Sequence, residues 1–175
     1  MNKKLVYFFA LLGAMVVFAP SCGDSDPCKD VDCGANGACF DGGCVCDDGY
    51  EQDAEGKCTV LTVSKFTGKF SVTEDCSLSN PAGYTATITA GSGVNQVNIT
   101  NFWGLFQNVV KATVSGNQIT IARQEPDNDK FFVQGSGTLG TENGKTVITV
   151  TYTVSDETGA TPINDVCTNT RYVKL

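Results

Sequence analysis

Alternation of apolar and polar residues dominates the chain beyond residue 64. Val, Ile, Phe and Tyr recur at every second position between Thr, Ser, Asn and Lys, which is the period of a half-buried β-strand. Turn residues separate the runs at 91–93, 115–117 and 143–144, so consecutive strands are expected to pair antiparallel. The pattern predicts strands near 65–74, 83–90, 95–101, 108–115, 117–123, 131–139, 146–155 and 166–174.

The same alternation predicts which side chains face inward. Eight strands enclose an interior that side chains fill or that holds one small ligand, and a mostly filled core is expected. Gly135 and Gly137 fall on the inward side. Their lack of side chains indicates either unfilled volume in the barrel interior or a bend of the strand. The predicted inward residues are Phe66, Phe70, Tyr84, Ile88, Val97, Ile99, Val110, Val114, Ile119, Ile121, Phe131, Val133, Ile148, Val150, Tyr152 and Val154.

An apolar run of 14 residues, Leu5 to Phe18, follows Lys3 and Lys4 near the start of the chain. A basic start and a short apolar run are features of an export signal, and the run is too short to span a bilayer. Residues 1–21 are therefore predicted to be a signal peptide. Their removal leaves 10 basic and 19 acidic residues, a net charge of −9 that makes nucleic acid a poor partner.

Cys22 directly follows this leader and is one of nine cysteines. An odd number in an exported protein leaves one thiol to explain. The leader resembles a bacterial lipoprotein signal, which is cut before a lipid-bearing cysteine, although Ala19 and Pro20 depart from the usual pattern. The resemblance implies that Cys22 is lipidated and that this lipid anchors the protein to a membrane. The alternative is an ordinary secretory signal cut near Ser21, which leaves Cys22 free or paired.

Residues 22–27 are predicted to be an acidic tether between this anchor and the folded part of the chain. The sequence Gly23-Asp24-Ser25-Asp26 is similar to the tether that marks lipoproteins for the cell surface in some Gram-negative bacteria. The expected location is therefore the outer membrane, with exposure at the cell surface. A plain solvated spacer is the alternative.

Residues 28–58 contain six cysteines with the spacing Cys-x4-Cys-x5-Cys-x4-Cys-x1-Cys-x11-Cys. A segment this short cannot bury enough apolar surface to fold without crosslinks, and six cysteines permit 15 pairings. The spacing, with Gly49-Tyr50 after the fifth cysteine, resembles an epidermal growth factor (EGF)-like module. The resemblance implies the pairs Cys28 with Cys39, Cys33 with Cys44, and Cys46 with Cys58.

Metal binding by these cysteines is not expected. The chain has no histidine and no Cys-x2-Cys pair, which disfavours a zinc site. Some EGF-like modules bind calcium through acidic residues before the first cysteine, but Pro27 occupies an expected ligand position. No metal ion or other cofactor is therefore predicted.

Residues 59–175 form the predicted β domain, with Cys76 after its first strand and Cys167 at the start of its last. A bond between them places the terminal strands side by side, which is the condition for a closed barrel. Gly68-Lys69-Phe70 in the first strand and Arg171 in the last resemble features of lipocalin-like (calycin-type) domains. The resemblance implies an all-β, antiparallel, eight-stranded up-and-down barrel, with Arg171 covering Phe70. A β-sandwich is the alternative.

One apolar cluster, residues 102–106, lies outside the alternating strands and is called the aromatic segment below. Such a segment more often folds back to plug a barrel end, and an exposed contact surface is the other interpretation; recognition is predicted to reside in this segment as an exposed surface. The acidic turn at 125–129 is expected to be a solvated hairpin rather than a calcium loop. The candidate binding residues are Phe102, Trp103, Leu105 and Phe106.

Composition argues against catalysis. Without histidine the chain lacks Ser-His-Asp, Cys-His and His-ligated zinc mechanisms, and no catalytic residue is predicted. Glu74 and Asp75 are a conceivable carboxylate pair, but the predicted interior is apolar. The expected function is a lipid-anchored, cell-surface binding protein whose partner is an unidentified protein or glycan. The alternatives are a carrier of a small apolar ligand, a hydrolase, and a eukaryotic secreted protein with a glycosylation sequon at 98–100.

Overall fold

The computed structural model describes residues 26–79 and 82–175, and their regular secondary structure is mainly β-strand. No helix among them is long and apolar enough to cross a membrane. A single 3-10 turn at Thr62–Lys65 leads from the cysteine-rich module into the barrel. The module contains the strands β1 (Gly37–Phe40), β2 (Gly43–Cys46), β3 (Tyr50–Gln52) and β4 (Cys58–Leu61).

The cysteine-rich module is two small hairpins held by three disulfides. β1 pairs with β2 and β3 pairs with β4, both antiparallel. These four short strands supply few buried apolar side chains, so the crosslinks take the place of a core. The bonds are Cys28–Cys39, Cys33–Cys44 and Cys46–Cys58, the same pairs that the EGF-like spacing implies.

Eight antiparallel strands close into a barrel in which each strand lies beside its neighbours in sequence, as predicted, and the β-sandwich alternative is wrong. β12 pairs with β5 and thereby completes the circle, with Cys167 directly opposite and bonded to Cys76. The strands are β5 (Gly68–Cys76), β6 (Tyr84–Ala90), β7 (Gln96–Thr100), β8 (Val110–Ser115), β9 (Gln118–Gln124), β10 (Phe131–Glu142), β11 (Lys145–Asp156) and β12 (Ile163–Lys174).

The barrel core consists of the residues that alternation predicts to face inward. Of those residues, Tyr84 and Phe131 are partly buried and all the others are buried. Val72 shares the inward side of β5 and is also buried, and Tyr172 in β12 is buried as well. These side chains form one continuous hydrophobic cluster.

Gly135 and Gly137 mark a close approach between β10 and β11. A Cβ atom on Gly135 would lie 2.5 Å from the carbonyl oxygen of Thr151, and one on Gly137 would lie 2.5 Å from that of Thr149. Such distances leave no room for any side chain. The glycines therefore let the strands coil together and do not enlarge the interior.

Arg171 does not cover Phe70, so this expectation from the lipocalin-like resemblance is wrong. The Nη1 atom of Arg171 donates to Oε1 of Glu142 at 2.9 Å on the outer surface. Arg171 follows the buried Thr170 in β12 and points to the opposite face, because successive side chains of a strand alternate. Phe70 packs instead against the ring of Tyr172, with 6.3 Å between centroids.

Candidate functional site

The aromatic segment folds back into the barrel end, so its interpretation as an exposed surface is wrong for its three rings. Phe102, Trp103 and Phe106 are 0%, 9% and 4% exposed, and Leu105 alone projects outward at 55%. Asn101 before the segment has a left-handed φ of 54°, which reverses the chain. The plug alternative describes this geometry.

Phe102 is the deepest ring of the plug. Its centroid lies 4.6 Å from that of Tyr152 in an edge-on arrangement and 6.3 Å from that of Tyr172. Aromatic pairs at such separations stabilise a core beyond the area that they bury. Phe102 therefore fixes the segment to the barrel wall.

Trp103 lies above Phe102 and nearer to solvent. Its Nε1 atom donates to the hydroxyl of Ser79 at 3.0 Å, and its ring packs beside those of Phe106 and Phe131. Trp103 has a φ of 59°, an uncommon and strained conformation for a bulky residue. The contacts of the ring hold the backbone in this conformation.

Asp165 organises the connection that follows β5. Its carboxylate accepts hydrogen bonds from the backbone amides of Leu78 and Ser79 and from the hydroxyls of Ser77 and Ser79. Burial alone would raise the pKa of Asp165, but these hydrogen bonds outweigh it and hold the pKa below its usual range. The ionised carboxylate thereby positions Ser79, the partner of Trp103.

A cleft of about 200 Å³ opens at this end of the barrel and is called the end cleft. Leu78 and Ile163, both more than half exposed, lie beside each other at the cleft and form its apolar rim. Asp156 contributes a carboxylate whose pKa is lowered by the Thr158 hydroxyl and amide. The lining residues are Leu78, Ser79, Trp103, Phe131, Val154, Asp156, Ile163 and Asp165.

Glu74 makes the barrel interior less apolar than predicted. Its Oε1 atom accepts hydrogen bonds from the hydroxyls of Tyr84 and Tyr152, the latter at 2.6 Å. Burial raises the pKa of Glu74 above its ordinary value, and the two tyrosine hydrogen bonds offset part of that rise. Asp75 is exposed on the opposite face of β5, so the two neighbouring carboxylates do not form a catalytic pair.

The potential metal ligands that converge in the described residues are Cys76, Asp165 and Cys167. The two cysteines are bonded to each other, and the Asp165 carboxylate already accepts four hydrogen bonds. A metal ion needs free thiolates and free carboxylate oxygens. This group therefore does not fit a metal site.

The acidic turn at 125–129 serves the plug. The Asp127 carboxylate accepts hydrogen bonds from the backbone amides of Gln107 and Asn108, which directly follow the aromatic segment, at 2.8 Å and 2.7 Å. Glu125 and Asp129 likewise accept from nearby backbone amides. The turn thus holds the backbone at the point where the chain leaves the aromatic segment.

Sequence reasoning did not find Leu78, Ile163 or Asp165 as parts of a site. A usable signal existed in the predicted bond between Cys76 and Cys167, because Leu78 and Ile163 lie two and four residues from those cysteines. The bond brings both isolated aliphatic residues to one end of the barrel. Cys22, residues 1–21 and most of the tether lie outside the described residues.

Comparisons with known proteins give no relative for this combination of a disulfide-rich module and an eight-stranded barrel. No family model, no curated protein and no solved structure matches the chain.

Proposed function

We propose that this protein is a non-catalytic binding protein, anchored to the outer membrane by a lipid on Cys22 and exposed at the cell surface. The observation that carries the binding role is the end cleft with its exposed apolar rim of Leu78 and Ile163. Exposed aliphatic side chains around a concave, aromatic-floored cleft are typical of a surface that receives an apolar group. The partner is a protein or glycan that carries such a group.

The classification as an EGF-like module followed by a lipocalin-like barrel belongs to this proposal. The three disulfide pairs support the first half, and the closed up-and-down barrel supports the second. The module also packs against the barrel, since Lys65 Nζ lies 2.6 Å from Glu51 Oε1 and 2.9 Å from Asn117 Oδ1. The module therefore acts as a rigid spacer between the anchor and the end cleft.

A carrier of a small apolar ligand is the second candidate. Its support is the same cleft, whose floor includes Trp103 and Phe131. The dense barrel core argues that such a ligand lies at the barrel end and not at its centre. Hydrolysis is disfavoured, because the carboxylates of Asp165 and Glu74 both already accept hydrogen bonds from neighbouring groups of the barrel end.

Binding of a neutral apolar probe, N-phenyl-1-naphthylamine, tests the end cleft. Trp103 is the only tryptophan in the chain and lines the cleft, so energy transfer from tryptophan to the probe reports binding near this end of the barrel. Saturable binding is expected, and Ile163→Asp should weaken it about tenfold or more because a charge then borders the apolar probe.

Leu105→Asp is the matched control for the probe experiment, since Leu105 is similarly exposed but does not line the cleft. Its probe affinity should equal that of the unmodified protein. Absence of saturable binding, or an equal loss in Leu105→Asp, would contradict a binding role for the end cleft.

Mass spectrometry of membrane-extracted protein tests the anchor. The mature chain is expected to begin at Cys22 and to carry the added mass of its acyl chains, because lipidation accounts for both the leader and the ninth cysteine. Cys22→Ala should abolish the acyl mass and release the protein from the membrane fraction. A mature chain that begins elsewhere, or that lacks acyl mass, would refute the anchor.

A further inference from the structure

Three buried polar atoms inside the barrel have no hydrogen-bond partner of acceptable geometry. They are Oε2 of Glu74, Oγ1 of Thr170 and the hydroxyl of Tyr172. Thr170 and Tyr172 are 0% and 1% exposed, so bulk solvent does not satisfy them. An unpaired buried polar atom costs about 1–3 kcal/mol, and three of them in one barrel indicate a site that a polar group completes.

A β-bulge brings these three side chains together. The register of β12 against β5 shifts directly opposite Glu74, and Asn169 at that point has a left-handed φ of 53°. The bulge places Thr170 in the interior, followed by Tyr172 as the next inward residue of the strand. Without it, Thr170 would face the outer surface.

The surroundings of Glu74 are suited to a cation. Tyr84 and Tyr152 donate to Oε1, which leaves Oε2 as a free acceptor. Tyr172 on β12 and Tyr84 on β6 both lie directly opposite Val72, one on each side of β5, so their side chains flank the inward face that carries Glu74. A carboxylate flanked by aromatic rings recognises an ammonium group through charge-assisted hydrogen bonds and cation–π attraction.

The end cleft leads toward this group of residues. Val154, which lines the cleft, and Tyr152, which bonds to Glu74, are successive inward residues of β11. The aromatic segment separates the two regions, with a Cβ on Gly104 placed 3.1 Å from the ring of Tyr84. Trp103 in this segment has the strained backbone noted above, so displacement of the segment releases that strain.

We propose that Glu74, Thr170 and Tyr172 bind the ammonium group of a small primary amine whose apolar part lies in the end cleft. The carboxylate and the two hydroxyls accept the three N–H donors of the ammonium, and the tyrosine rings enclose it. Entry of the amine displaces the aromatic segment from above Glu74. This inference rests on the second candidate function, a carrier of a small apolar ligand in the end cleft, and names the chemical class of that ligand.

Competition between 1-octylamine and 1-octanol for bound N-phenyl-1-naphthylamine tests the inference. The two competitors share an apolar chain and differ in charge, so the ratio of their affinities measures what the ammonium group contributes to binding. In the mature full-length protein, octylamine is expected to bind at least about tenfold more tightly than octanol, as for a hydrogen bond to a charged group. Glu74→Gln should abolish this preference and leave octanol affinity unchanged.

Asp75→Asn is the matched control, because it removes the same charge from the adjacent, outward-facing residue of β5. Its preference for octylamine should persist, which excludes a general effect of net charge. Tyr172→Phe keeps the ring and removes one unpaired hydroxyl, so it should reduce the preference about 2–10-fold. Glu74→Gln keeps the Oε1 acceptor for both tyrosines, so we expect it to fold.

The outcomes separate this inference from the proposed function. If the probe binds saturably and neither competitor displaces it, the amine site is refuted, whereas the binding role of the cleft fails only if the probe itself does not bind. If both displace it equally in the unmodified protein, the cleft binds apolar groups and the amine site is refuted. If Asp156→Asn abolishes the preference and Glu74→Gln does not, the ammonium binds in the cleft and the interior site is also refuted.

Discussion

Replacing Cys76 and Cys167 together by serine is expected to lower the free energy of unfolding of the barrel by about 4–5 kcal/mol. The bond spans 91 residues of sequence, so it removes much of the conformational freedom of the unfolded chain. It also joins the strands β12 and β5 where the barrel closes. Chemical denaturation of the oxidised proteins, followed through the fluorescence of Trp103, measures the change.

The control for this prediction is the pair Cys28→Ser and Cys39→Ser, which opens a disulfide of the module and none of the barrel. The barrel transition reported by Trp103 should then change by less than about 1 kcal/mol, because distant and independent sites rarely couple. A loss below about 1 kcal/mol in the Cys76→Ser, Cys167→Ser protein would show that strand pairing alone closes the barrel.

The disulfide also connects the fold to the proposed binding site. Leu78 and Ile163 follow β5 and begin β12, the two strands that Cys76 and Cys167 join. Loss of the bond therefore removes a covalent constraint on both sides of the rim and on the pairing of β5 with β12. Weaker binding of the apolar probe should accompany the loss of stability.

The barrel could be predicted from the sequence because its two determinants are local. Alternation with period two identifies strands and their inward faces, and the short turns at 115–117 and 143–144 fix neighbouring strands as antiparallel pairs. The predicted bond between Cys76 and Cys167 then supplies the one long-range pairing that closes the circle. β12 begins at Ile163, earlier than predicted, because its start reverses the usual pattern: the polar Asp165 is buried and the apolar Val166 is exposed.

The polar interior could not be predicted in the same way. Glu74 shares the inward side of β5 with Phe70 and Val72, but a carboxylate is buried only where partners satisfy it. Of those partners, Tyr84 lies on the neighbouring strand β6, whereas Tyr152 comes from β11, whose register relative to β5 the sequence does not give. Alternation alone therefore assigns the face of Glu74 and not its environment.

The β-bulge at Asn169 is a second feature without a sequence signal. Strict alternation from Cys167 would place Asn169 inside and Thr170 outside, whereas the structure has Thr170 buried and Asn169 exposed. One left-handed residue exchanges the two faces for the rest of the strand. This exchange places the hydroxyl-bearing side chains of Thr170 and Tyr172 on the inward face that carries Glu74.

The position of the aromatic segment depends on left-handed backbone that composition does not reveal. Asn and Gly tolerate positive φ, so Asn101 and Gly104 are ordinary, but Trp103 at 59° is not. A cluster of large apolar residues on a connection is compatible with a surface and with a plug. The difference lies in the space at the barrel end, which only the closed barrel defines.

Replacing Phe102 by alanine is expected to lower the free energy of unfolding by about 3–5 kcal/mol, the usual loss for a fully buried aromatic ring. Phe102 has no exposed surface and packs against Tyr152 and Tyr172, so its removal leaves a cavity at the base of the plug. The substitution keeps Trp103, which allows the same fluorescence measurement of unfolding as in the unmodified protein. Trp103 should also become more exposed to a soluble quencher, because its support is gone.

Leu105→Ala is the matched control within the same segment, since Leu105 is mostly exposed. Surface truncations of this kind usually change stability by less than about 0.5 kcal/mol. A small effect for Leu105 together with a large one for Phe102 is the signature of a segment that plugs the barrel with its rings and presents only its tip. Equal, small effects at both positions would mean that the rings do not support the barrel, and the segment would again be a candidate for direct contact with a partner.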